Sequence, residues 1–271
     1  HRSALAPPLS WKDSFLMASH HIDAALERRA CQKSDAVIAG CNRLKELAVK
    51  YYSISPNKVI MLPPSVDPVK FNPDVAGKTI RQKLGIEDDQ PIVFTLRHLR
   101  SICTVQNVIY AARLVLSKRK DAVFIIVGDG QLKTYLRKLA QQLGLLDKIL
   151  FMGAVPHSAI NDFFAASNLV VDPCPIGQGM GVLEAMACGK PVVGIGTHGA
   201  WDFIEDKVNG FLTPAGNINL LAEKILFLVN NPRIARQMGR NSRNIVENKY
   251  NVKKSAKEVA NVYLDIVDMI K

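Results

Sequence analysis

Cysteines are few, aromatic residues are few, acidic residues are a minority, and no apolar run is long. There are five cysteines in 271 residues. Cys31, Cys41, Cys103, Cys174 and Cys188 form no C-x-x-C pair and no His-rich companion spacing, so neither a disulfide framework nor a metal or redox motif is read. A reduced, cytoplasmic setting is the expectation. No stretch reaches the roughly 18 apolar residues of a membrane span. Aromatic residues make up 7% and are not interleaved with the basic ones. The stacking surface of a nucleic-acid binder is therefore missing, and nucleic acid is not an expected partner. Against 24 Asp and Glu stand 35 Lys and Arg, a net charge of +11. That balance favours phosphate-bearing ligands or peripheral contact with an anionic membrane surface, although most of the scattered basic residues read as a solvated face.

What is present is globular. With 48% hydrophobic and 22% charged residues, the chain suits one large domain or two ordinary ones. Ser10 as a cap, with Phe15, Ile22 and Leu26 on one face, predicts a helix over 11–33. A strand is expected over 35–39, a helix capped by Asn42 to about Tyr52, and a strand over 58–62. The prolines Pro63, Pro64 and Pro68 then mark a linker, because they cannot supply ladder donors.

From about Lys70 the pattern becomes regular. Apolar, β-branched runs at 92–96, 122–127, 149–152, 169–172, 191–195 and 210–213 alternate with helical stretches, and helices over 217–230, 233–248 and 252–270 close the chain, the last capped by Asn251. Strands apolar on both faces and separated by helices predict an α/β fold, a Rossmann-like doubly wound parallel sheet. In such a sheet, ligands sit at the carboxyl ends of the strands.

The segment from Asp172 to Gly194 carries the most chemistry. A strand runs into Gly177, Gly179 and Gly181, and a short helix follows from Met180 to Cys188. Backbone N–H groups around Met180, Gly181 and Val182 and the helix N-terminus could face an anion, a phosphate cradle. A dinucleotide fingerprint is disfavoured: the spacing is G-x-G-x-G, and no acidic residue for a ribose follows the next strand. Glu184 could accept two hydrogen bonds from vicinal ribose hydroxyls; equally, it could be a helix-start residue favoured by the dipole. Val127–Gly130 reads as a structural strand-to-helix turn. His98, His157 and His198 read as bystanders at strand-to-helix connections, and Cys188 as a buried small apolar residue.

Glu184-Ala-Met-Ala-Cys-Gly-Lys-Pro-Val-Val193 resembles a segment of retaining glycosyltransferases of family 4, which have the GT-B fold. Val66-Asp67 with Phe71-Asn-Pro73, Arg97-His-Leu99, Ile126-Val-Gly-Asp-Gly130, Phe151-Met-Gly153 and Asn209-Gly-Phe-Leu212 agree with that family in order. The resemblance implies that 1–69 is the tail of an N-terminal domain with its linker, 70–248 the nucleotide-sugar donor-binding domain, and 249–271 a C-terminal crossover helix. It implies that about 100 further residues, carrying most of the acceptor pocket, belong to such an enzyme.

The donor would be held by Arg97 and Arg100 at its diphosphate, by the backbone of Gly153 and Val155 at its base, and by Glu184 at its ribose. The catalytic residues are not identified. No metal or cofactor is implied; the nucleotide-diphosphate sugar is the substrate, and the acceptor is a carbohydrate, a lipid-linked molecule or a small molecule. Two positions depart from the family. Ile176 stands where a sugar-binding Glu is usual, and Cys103-Thr104 where a Lys-Gly pair meets the diphosphate. The alternative is a non-catalytic nucleotide-sugar binding or interaction module, and a GT-B epimerase is a third reading.

Overall fold

The computed structural model describes residues 24–74, 77–175, 179–196 and 202–270. The expected Ser10 cap, Phe15, Ile22, Ile176, Gly177 and His198 lie outside the described residues. Two compact units emerge, one of residues up to Leu62 with those from Val262, the other Pro63–Asn261.

In the first unit, residues 24–33 are helical (α1), and β1 (Val37–Ala39) pairs in parallel with β2 (Val59–Met61), with α2 (Asn42–Tyr52) between them. Its core is small, centred on Ala39, Ile54 and Val59. Leu26, expected on an apolar helix face, is 62% exposed. The cap of α2 is Cys41, not Asn42: the Cys41 Sγ accepts from the Leu44 N–H at 3.4 Å, one position earlier than expected.

In the second unit, α3 (Lys78–Lys83) precedes β3 (Ile92–Leu96), and β4 (Val123–Val127), β5 (Ile149–Gly153), β6 (Leu169–Asp172), β7 (Val192–Gly196) and β8 (Gly210–Pro214) follow. These six form one parallel sheet in the order β5-β4-β3-β6-β7-β8. Side chains alternate along each strand. Val93, Phe124, Ile126, Val171 and Val193 pack on one face with α4 (Gln106–Lys118), α5 (Lys133–Gln142) and α8 (Ile218–Asn230). Ile92, Phe94, Ile125, Val170 and Val192 pack on the other with α6 (Ile160–Ala166) and α7 (Met180–Ala187). Both faces are covered, which is why the strands read as continuous apolar runs.

Two helices end the chain, α9 (Pro232–Lys249) and α10 (Val252–Ile270). The Asn251 side chain accepts from the Lys253 N–H at 2.9 Å, the expected cap. Among the described residues no helix is long and apolar enough to cross a membrane.

The strand order reverses between β3 and β6. The chain builds β4 and β5 outward on one side of β3, crosses back through α6, and builds β7 and β8 on the other. Neighbouring loops therefore part at the carboxyl ends of β3 and β6, which opens a crevice there.

Candidate functional site

At that crevice the two strands are clamped together by their first residues past or at the sheet edge. Arg97 follows β3 and Asp172 ends β6. The Arg97 Nε and Nη2 donate to the two oxygens of Asp172 at 2.7 and 2.5 Å, a bidentate fork with strong geometric preference. The Cys174 N–H adds a third hydrogen bond to Asp172. Burial works against the Arg97 charge, but the opposed charge and hydrogen bonds of Asp172 outweigh it, and the guanidinium is held above its usual range.

Beside the fork lies a cleft of about 300 Å³. Its wall comes from the ends of three strands and from two helices: Leu96 at the end of β3 with Arg97 and His98 after it, Gly128 and Asp129 after β4, Val155 after β5, Ile160 in α6 and Gly181 in α7. The β4 turn approaches β3 so closely that a Cβ on Gly128 would lie 1.8 Å from the Arg97 carbonyl oxygen, and its φ is +139°. Only glycine fits there. Lys133 and the Gly130 N–H hold the Asp129 carboxyl below its ordinary range.

The helix α7 starts at Gly179, whose φ is +67° and whose Cβ would strike the Phe203 ring at 2.6 Å. Among the described residues no side chain caps this N-terminus. The Val182 and Leu183 N–H groups turn back to the Gly179 carbonyl, whereas no described residue accepts from those of Met180 and Gly181. At Gly181 a Cβ would meet only ordinary contacts with Leu96; its absence widens the cleft instead of relieving a clash.

One turn further along α7, Glu184 is 7% exposed. Its Oε1 lies 2.9 Å from the His157 Nε2, and the His157 Nδ1 lies 3.1 Å from the Lys70 Nζ. A lysine ammonium only donates, so Nδ1 is the acceptor and Nε2 carries the proton given to Glu184. Phe71 packs edge-on against the imidazole, with ring centroids 5.4 Å apart.

Of the residues expected at the donor, Arg97, Val155 and Gly181 line the cleft. Gly153, Gly179 and Met180 adjoin it at the same sheet edge, and Glu184 is drawn under His157. Val182 turns its side chain into the core. Arg100 is exposed and does not line the cleft, and Gly177 lies outside the described residues.

The turn after β3 corrects the expected cation register. Thr104 has a φ of +42°, the left-handed conformation a glycine suits, and its hydroxyl donates to the Pro173 carbonyl. Cys103, however, is buried, its Sγ 3.8 Å from that of Cys174. A side chain at 103 packs inward and cannot serve the cleft. The positions of this turn that face solvent are Arg100, Ser101 and Ile102.

His157 carried no sequence signal of its own beyond its place after β5, and the Val127–Gly130 turn serves both as a tight turn and as cleft wall. The stretch after Glu184 is scaffold. Cys188 is buried, which pushes its thiol up to about 12. The Lys190 Nζ donates to the Ala165 and Ser167 carbonyls at 3.0 and 2.9 Å, and burial lowers its pKa to about 8. Among the described residues no group of three His, Cys, Asp or Glu side chains is placed to hold a metal ion.

Comparison with known proteins adds the family. The sequence pattern described as "Glycosyl transferases group 1" matches residues 77–245. An uncharacterized glycosyltransferase of Methanocaldococcus jannaschii is 26% identical over 250 residues, 91% of this chain and 64% of that protein. The UDP-Gal:alpha-D-GlcNAc-diphosphoundecaprenol alpha-1,3-galactosyltransferase of Escherichia coli is 27% identical over 251 residues, 89% of this chain and 63% of that protein. The chain thus spans just under two thirds of the length of these curated relatives. In fold, it matches the crystal structure of Anabaena HepE in complex with UDP with a TM-score of 0.82 at 21% identity, covering 90% of this chain and 68% of that one. The six-stranded parallel sheet flanked by helices is the architecture of GT-B glycosyltransferase structures.

Proposed function

The chain belongs to the glycosyl transferases group 1 family, and on that premise we propose that it binds the donor of a retaining glycosyltransferase, which moves a sugar from a nucleotide diphosphate to a carbohydrate, lipid-linked or small-molecule acceptor. One observation carries this reading: a helix N-terminus that no described side chain caps opens on a cleft at the point where the strand order reverses, with a buried carboxylate one turn behind it.

The chemistry assigns each part a task. Negative charge grows on the departing nucleotide diphosphate as the sugar bond breaks, and fixed donors stabilise it without reorganising. The Met180 and Gly181 N–H groups and the positive end of the α7 dipole supply such donors. Asp172 occupies Nε and Nη2 of Arg97, so Nη1 is the nitrogen left for a phosphate oxygen. The Glu184 carboxylate would accept from the ribose hydroxyls, and Val155 and the backbone of Gly153 would flank the base. UDP is the first nucleotide to try, because it is the donor nucleotide named for the Escherichia coli relative and the ligand named for HepE.

One observation favours the rival reading of a non-catalytic nucleotide-sugar binding module: the β3 turn brings no second cation to the cleft, since Cys103 is buried and Arg100 does not line it.

Calorimetric titration with UDP, GDP and ADP tests the donor reading. One of them should bind, and Glu184→Ala should weaken it by about 1.5–3 kcal/mol, roughly ten- to a hundredfold. The 2′,3′-dideoxy analogue should show little of that loss. Equal affinity of parent and variant for the ribonucleotide would return Glu184 to the role of a helix-start residue. Sugar transfer to an added acceptor by a chain that includes the further residues carrying the acceptor pocket then separates the enzyme from the binding module.

A further inference from the structure

The segment after the linker prolines resembles the family at Phe71-Asn-Pro73, yet the donor reading gives it no task. Its side chains lead to Glu184. Lys70 reaches His157 across 87 positions of sequence, Phe71 braces the same ring, and the other ring nitrogen meets the carboxylate. Lys70 itself lies over the Phe71 ring, 5.6 Å from its centre.

We infer that His157, held by Lys70 and Phe71, is a positioning residue for Glu184, fixing its carboxylate in the rotamer that a ribose diol requires. The inference rests on the donor reading and deepens it. A buried carboxylate needs hydrogen-bond donors to hold it in place, and among the described residues the imidazole Nε2 is the donor it has. The bond occupies one lone pair of Oε1. The other lone pair and all of Oε2 have no described partner, which leaves acceptor sites for two hydroxyls.

Burial and exposure agree with this division of labour. The Glu184 side chain is 9% exposed and that of His157 58%, so the carboxylate is the fixed element and the imidazole covers it at the rim. Lys70 supports the tautomer: its ammonium takes the Nδ1 lone pair and so keeps the ring proton on Nε2, toward the carboxylate.

The test measures binding of UDP and of its 2′,3′-dideoxy analogue to the parent, His157→Ala, His157→Gln and Lys70→Met by calorimetry. If UDP does not bind, GDP or ADP with its own dideoxy analogue takes its place, whichever binds most tightly. His157→Ala should weaken the ribonucleotide about five- to tenfold, the worth of one hydrogen bond, and leave the dideoxy analogue within about twofold. His157→Gln, whose amide can donate from nearly the same place, should restore most of the loss, and Lys70→Met should reproduce part of it.

Tighter binding by His157→Ala would make the histidine a competitor for Glu184 and overturn the inference. So would unchanged binding, an equal loss for both ligands, or a glutamine variant no better than alanine. Glu184→Ala in the same titrations separates the two levels. If it also leaves affinity unchanged, the donor reading itself falls. If it weakens the ribonucleotide while His157→Ala does not, only the positioning role falls.

Discussion

Two buried carboxylates stand at the carboxyl edge of the same sheet, and their surroundings differ in kind. Asp172 accepts three hydrogen bonds, two from the Arg97 fork and one from the Cys174 N–H. Glu184 accepts one, from a half-exposed histidine. Around Asp172 the same two loops are joined again by the Thr104 hydroxyl on the Pro173 carbonyl and by the Cys103–Cys174 contact. Its acceptors are used within the fold, so its effect is to tie the β3 loop to the β6 loop. Glu184 keeps acceptor capacity that only solvent or a ligand can fill. Burial and charge are alike in the two, with 4% and 7% exposure; the count of partners is what separates a structural carboxylate from one ready for a ligand.

The comparison breaks most visibly at Asp172. Asp172→Ala leaves a largely buried guanidinium unpaired and should cost about 3–5 kcal/mol in urea unfolding. A loss below about 1 kcal/mol would mean that solvent already screens the fork, and the contrast would vanish.

Cys103→Lys should come next. It forces an ammonium into the contact with Cys174 and should cost about 3 kcal/mol, with no gain in affinity for a nucleotide diphosphate. A stable variant that binds the diphosphate more tightly at low salt would restore the cation register that the buried thiol contradicts.

Glu184→Gln sharpens the comparison from the other side. It removes the charge but keeps an oxygen for His157, so unfolding should move by about 1 kcal/mol or less while affinity for the ribonucleotide falls. If it destabilises as much as Asp172→Ala, both carboxylates are structural.

The smallest effect belongs to Thr104→Gly. Relief of the left-handed backbone, worth about 1–2 kcal/mol, opposes loss of the hydrogen bond to Pro173, about 1 kcal/mol, and stability should change by no more than about 1 kcal/mol. Thr104→Ala, which loses the bond and keeps the strain, should be the less stable of the two on thermal melting.

Local pattern alone determined the sheet and its covering. Runs such as Val123–Val127, apolar at every position, specify a strand buried on both faces, and the helical stretches between them require parallel neighbours. The helix start at Gly179, with Glu184 one turn on, was legible for the same reason: a glycine run followed by a short helical stretch depends on residues a few positions apart. Partners distant in sequence decided the rest. Arg97 reads as a free cation until β6 is laid beside β3 and brings Asp172 from 75 positions away. His157 reads as a bystander until α7 packs next to the β5 loop and places Glu184 against it, 27 positions on. Cys103 reads as a gap in a cation pair until Cys174 closes over it, 71 positions on. Backbone periodicity is a short-range property and survives in a linear string; which acceptor a donor finds is settled only when the strand order brings the loops together.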